Sequence, residues 1–199
     1  MAITYPLNLP THTGIASIEL HAINAVAYSQ SPFTFEGQVH AHAGEMWTAD
    51  VSLPPMKRAD AEQWIAFLMS LRGQYGTFRL SDPTAAEPRG TATGMTITGG
   101  TGDRTINATV TSGRTLKAGD YFGIVSGGKY RLHKILVDYV GTSSPSSMEI
   151  WPALRDSYTN LNVDLSAPQG QFRLASSDTN WSVNDASFYG ITFGAIEAI

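Results

Sequence analysis

The 199-residue sequence contains no cysteine, which removes disulfides, thiolate metal sites and thiol nucleophiles together. Charge is also scarce: 15% of the residues are Asp, Glu, Lys or Arg, against roughly 25% in an ordinary soluble domain. The formal net charge is −4, and the longest basic run is the pair Lys57–Arg58. A protein held to nucleic acid through phosphates gathers positive charge into a patch, so that class is set aside. No window of about 18 consecutive apolar residues occurs, and "MAITYPLNLPTHTG" has no basic stretch leading into an apolar core. The expectation is a protein with no signal peptide and no membrane span, made in the cytosol and kept there unless a larger assembly carries it out.

Thr, Ser and Gly are abundant instead, a composition that favours strands and turns over helices. The chain is long enough to bury roughly 70% of its unfolded surface. "IELHAINAVAY" (18–28) mixes β-branched and apolar residues. "EMWTADVSL" (45–53) alternates cleanly, with Trp47, Ala49, Val51 and Leu53 on one face and Thr48, Asp50 and Ser52 on the other. Period two with one polar face predicts a strand covering a core on one side. Between the two, "SQSPFTFEG" predicts a loop that sends Phe33 and Phe35 outward for contact.

One segment reads as helix. "PPMKRADAEQWIAFLMSLRG" follows a Pro pair, and Asp60 with Gln63 fits a capping box. Ala61, Trp64, Ile65, Phe67, Leu68 and Leu71 form a stripe that can be buried against a sheet. Arg72 suits the negative end of such a helix and Gly73 is placed to close it, so the helix is predicted at about 59–72. Beyond it, Met95, Ile97, Ile106, Ala108 and Val110 keep alternating through a Gly/Thr-rich stretch. "GGTGD" there reads as a hairpin turn, because it lacks the Lys-Ser/Thr of a phosphate loop and no helix follows. Turns are predicted at Ala118–Asp120 and at Ser126–Gly128, and "SSMEIWPALR" (146–155) supplies a further strand, ended by Pro152.

The sequence echoes itself: "GTFRLSDP" after the helix, then "GQFRLASSD" some ninety residues on. The reading is that residues 84–165 are an all-β unit inserted into a domain made of 1–83 and 166–199, with Phe78–Leu80 and Phe172–Leu174 as neighbouring strands; the alternative is two F-R-L strands alike by coincidence. The expected fold class is mainly β (α+β): a β-barrel or sandwich domain with one flanking helix, interrupted by a small all-β domain.

Chemistry-bearing patterns are sparse. His40 and His42 share a strand face as two metal ligands would, but His12, His21 and His133 stand at no matching spacing, and exposed strand histidines are the plainer reading. No G-x-S-x-G elbow occurs. Asp82, Asp120 and Glu149 show no acid–base pairing in sequence. Asn107-Ala-Thr and Asn180-Trp-Ser match a glycosylation sequon, which has meaning only on secretion. The expectation is no enzyme, no metal and no cofactor. Trp151 and Trp181, in or beside loops, could stack on sugars, although such residues more often plug a core or meet another subunit.

The order of these elements resembles a known family. "QSPFTFEG", W-x-A-x-V-x-x-P-P-M, the helix R-x-x-A-x-x-W-x-x-F-L and G-x-x-G-x-F-x-L-x-D-P, followed by "AGDYFGI" and "IWPALR", are similar to the distal tail (minor tail) proteins of long-tailed bacteriophages, over most of 28–176. The resemblance implies a β-barrel flanked by a helix that assembles as a hexameric ring at the tail tip of the virion, put together in the host cytoplasm. It also implies partners: the tail tube protein, the tail-tip hub, and a tape measure protein and DNA that pass through the channel without specific binding. Phe33 and Phe35 become candidate subunit contacts. The alternative is a glycan-binding β-module of a phage tail used in host recognition, with Trp151 and Trp181 as its contacts.

Overall fold

The computed structural model describes residues 3–11, 14–142 and 144–199. Strands β1 (Ser17–Gln30) and β2 (Gly37–Ser52) form a long hairpin, followed by the helix α1 (Arg58–Ser70) and β3 (Phe78–Leu80). The stretch after the first "FRL" yields β4 (Met95–Gly99), β5 (Thr105–Val110), β6 (Thr115–Leu116), β7 (Tyr121–Ser126) and β8 (Lys129–Ile135). There follow β9 (Tyr139–Val140), β10 (Ser146–Trp151) and β11 (Tyr158–Val163). The chain ends with β12 (Gly170–Leu174), β13 (Ser182–Val183), β14 (Tyr189–Gly190) and β15 (Thr192–Glu197).

Two sheets carry the architecture. A five-stranded antiparallel sheet has the order β1-β2-β15-β12-β3, and the two "FRL" segments are adjacent in it, Phe172 opposite Phe78 and Gly170 opposite Leu80. A six-stranded sheet has the order β11-β4-β5-β10-β8-β7. Its outer strands meet where Gly123 and the residue after β11, Asp164, exchange backbone hydrogen bonds of 2.7 and 2.8 Å, so it is a nearly closed barrel. The class is therefore mainly β with one helix among the described residues. The barrel-like closure lies within 84–165, whereas the sheet under the helix is open. Among the described residues β1 pairs only with β2, so it forms one edge of this sheet.

Period-two patterning holds where it was predicted: Trp47, Ala49, Val51 and Leu53 are all buried, as are Met95, Ile97, Ile106, Ala108 and Val110. Gly127 and Gly128 both take positive φ (57° and 77°) in the two-residue turn joining β7 and β8, the conformation that tight hairpins require. All six residues of the helix stripe are buried. Trp64 stacks edge-on with Phe67 (5.9 Å between centroids), and Phe67, Phe78 and Phe193 continue the aromatic cluster against the sheet.

The predicted capping box does not form. The N-cap is Lys57 with no side-chain cap, and Asp60 lies inside the first turn, where its charge still favours the helix dipole. The start is set by tertiary pairing: Met56 and Tyr189 exchange backbone hydrogen bonds (3.2 and 2.9 Å), which fixes the chain just before Arg58. At the other end Arg72, as well as Gly73, takes left-handed backbone (φ 53° and 67°).

Candidate functional site: a projecting hairpin and the seam at its base

The first half of β2 and the second half of β1 have no body beneath them. Every residue from 21 to 44 except Ser31 is exposed. The hairpin nonetheless keeps its register, with one irregularity between Asn24 and Val26. Beyond it Val26 pairs with Ala41 and Tyr28 with Val39, while Ala27 pairs with His40 and Ser29 with Gln38. Directly paired residues share a face, so the arm has one apolar face and one mostly polar face although neither is covered. The Tyr28 ring lies across Gly37, where a Cβ would stand 2.7 Å from it and the exposed ring would have to turn aside.

The tip is an ordered turn. Ser31 N–H donates to Glu36 O (2.9 Å), Phe35 N–H donates to Ser31 O (3.0 Å), and the Gln30 amide donates to Phe35 O (2.9 Å). It presents Phe33 at 91% and Phe35 at 73% exposure. Among the described residues neither outer edge of the arm pairs with a further strand, so backbone N–H and C=O groups face outward there. The far edge of the sheet is treated differently, since Leu7 covers β3 through hydrogen bonds to Thr77 and Arg79.

At the base of the arm, the rings of Trp47 and Trp151 meet edge to face at 4.4 Å, and the Trp151 indole N–H donates to Asn24 Oδ1 (2.7 Å). Leu20, Ala22, Tyr121, Lys134 and Leu136 complete the wall of an open recess of about 300 Å³. Lys134 Nζ sits over the Tyr121 ring at 4.3 Å and donates to its hydroxyl at 3.0 Å. It takes part in none of the ion pairs among the described residues.

Beneath the recess the barrel is locked to the open sheet by a buried polar seam. Glu45 accepts from Arg104 Nε and from the Ala153 N–H, both at 2.7 Å. Glu197 Oε2 accepts from the Trp47 N–H and from Arg155 Nη2, both at 3.0 Å. Arg155 also donates to the Glu45 carbonyl, Arg131 Nη1 to the Ala198 carbonyl, and the Trp47 indole to the Leu132 carbonyl. Desolvating two carboxylates is costly unless they are paired and hydrogen-bonded, and here both are. His133 lies fully buried beside this seam, stacked on Phe122 at 5.2 Å. Its Nδ1–H donates to Pro152 O (2.8 Å), which fixes the neutral tautomer with the proton on Nδ1. Burial pushes its pKa down from 6.5 to about 4, and the nearby Arg155 and Arg131 act in the same direction.

The remaining predicted positions are scattered. His40 and His42 lie on the exposed arm, His21 is 3.3 Å from Asp50, and His12 lies outside the described residues. Among the described residues no group of three or more His, Asp or Glu is placed to hold a metal, and no helix is long and apolar enough to cross a membrane. Asp120 is buried as a turn clamp, accepting from the backbone of Arg89, Gly90 and Lys117. Asp82 accepts from Thr84, and Glu149 from Thr105. Trp181 is 44% exposed beside a recess edged by Ser52, Asn180, Ser182 and Thr192. The seam was missed from sequence, although Glu45 shares the parity of Trp47, Ala49 and Val51, and Glu197 that of Phe193 and Ala195. A carboxylate continuing an apolar face was the available signal; nothing in the spacing of Arg104 or Arg155 pointed to it. No protein-family model matches the sequence, and no curated protein matches it.

Proposed function

We propose that the chain is a structural, non-catalytic component of a bacteriophage tail tip, a ring of six copies that joins the tail tube to the tip hub around the central channel. The observation that carries this reading is the arm. Free edge strands are normally protected by Lys, Pro or a covering segment, yet no Lys, Arg or Pro occurs in β1 or β2. An ordered, amphipathic ribbon without those protections suits a protein whose edges are covered on assembly. A head-to-tail ring covers every arm equally and leaves none free. The low net charge suits a conduit past which DNA moves without being held, and the sequence resemblance supplies the ring, the number six and the neighbours.

The test is the position of the protein in particles that carry it, read by antibody labelling of intact virions and electron microscopy. Label at the junction of tube and tip is the expected result; absence from the tail overturns the proposal. A Phe33→Ser/Phe35→Ser variant should remain a folded monomer and fail to enter tails. A glycan-binding reading rests on Trp181, half-exposed beside hydroxyl groups. It requires saturable binding to host-surface glycan that Trp181→Ala abolishes.

A further inference from the structure

Resting on the assembly reading above, we infer that the Phe33/Phe35 tip of one copy docks into the recess between Trp47, Trp151 and Leu136 of a second copy. The two features are complementary in shape, polarity and charge. An apolar cavity of about 150 Å³ is enough to take benzene, so a recess of about 300 Å³ has room for two phenyl groups. Apart from Asn24 and Lys134 its lining is aromatic and aliphatic, and Leu136 is left 50% exposed at its edge.

Charge fits as well. Between residues 22 and 44 the arm carries one carboxylate, Glu36, and no Lys or Arg. Glu36 adjoins Phe35 and forms no ion pair among the described residues, and Lys134 is the one cation lining the recess. A tip that buries its phenyl rings therefore brings Glu36 towards Lys134.

A copy cannot satisfy itself. From Asn24, at the recess, to Ser31, at the tip, seven residues of strand span roughly 24 Å, and the tip points away from the body. Because knob and hole are different surfaces, each docking leaves one of each free for the next copy. That is a heterologous contact, and with a suitable rotation it closes into a ring.

The absence of native cysteine makes the test direct. Full-length Phe33→Cys and Leu136→Cys proteins, each monocysteine, are mixed and oxidised, with Val125→Cys replacing Leu136→Cys as the control. Sedimentation velocity follows the self-association of wild type, Glu36→Lys, Lys134→Glu and the double variant. The expected result is a 33–136 disulfide-linked dimer absent from the control, association weakened at least tenfold by either charge reversal, and recovery when both are reversed. Association that proceeds without the 33–136 link, or is indifferent to the reversals, overturns the docking and leaves the tail-ring reading standing. A wild-type chain that stays monomeric at every concentration also overturns the docking, while virion labelling judges the ring reading separately.

Discussion

Acid should weaken this fold through one buried imidazole, by an amount that can be worked out in advance. His133 is held neutral by burial, with its Nδ1–H on Pro152 O and two guanidinium-bearing residues, Arg131 and Arg155, near enough to oppose a further positive charge. Its pKa is about 4 in the fold and near 6.5 in the unfolded chain. Above pH 6.5 both states are neutral at this position and its contribution is fully present. Between pH 6.5 and 4 the unfolded chain takes up a proton that the native protein does not, so stability falls as pH falls. The gap between the two values corresponds to about 3 kcal/mol, a large part of the 5–15 kcal/mol that holds a typical domain folded. The assay is urea unfolding at a series of pH values from 7 to 4, on wild type and on His133→Asn, whose amide can donate to Pro152 but does not titrate. The variant should be less stable at pH 7, since it loses the stacking on Phe122. Its further loss on going to pH 4 should be smaller than that of wild type by about 3 kcal/mol. Contributions that the substitution leaves untouched cancel in the difference. If the two stability curves fall in parallel, His133 is not the sensor and the reasoning fails.

Three further outcomes follow from the packing. Trp64→Ala should cost about 3–5 kcal/mol in chemical denaturation, because its indole is buried among Phe67, Phe193 and the sheet; a loss under 1 kcal/mol would place it outside the core. Glu45→Ala leaves the buried Ala153 N–H without its acceptor, while the half-exposed Arg104 turns to water; it should cost about 1–3 kcal/mol, measured the same way, with Glu45→Gln losing less because its carbonyl still accepts. Replacing residues 84–165 by a short linker is geometrically easy, since Leu80 lies opposite Gly170, but it removes the cation partners of Glu45 and Glu197. That excision should fold poorly alone and better with Glu45→Gln and Glu197→Gln added, as read by circular dichroism and thermal melting. Equal stability with and without the two substitutions would mean that the seam contributes nothing.

The helix stripe, the alternation of Trp47, Ala49, Val51 and Leu53, the Ser126–Gly128 turn and the pairing of the two "FRL" strands were legible in the chain. Each depends on local periodicity, on backbone preferences at glycine, or on a repeated phrase, and these act over a few residues. The exposure of Phe33 and Phe35 was legible for the same reason, since the tip residues sit in a Pro-containing polar turn. The helix start was not: the pairing of Met56 with Tyr189, 133 positions away, overrode a plausible Asp60 cap. Nor was the strand β11, whose partner β4 lies some sixty residues earlier.

Where a face stops being an interior is settled by long-range packing. The strand pattern of the hairpin continues past the body, so alternation alone could not tell a sheet strand from an unsupported arm; that depends on what lies beneath it. The recess of Trp47 and Trp151 and the seam of Glu45, Glu197, Arg104 and Arg155 each join residues more than a hundred positions apart. Preferences for strand, helix or turn are local, and for that reason they can be read directly from the residues. Which carboxylate meets which guanidinium, and which apolar faces are left uncovered, was decided by the way barrel and sheet close on one another.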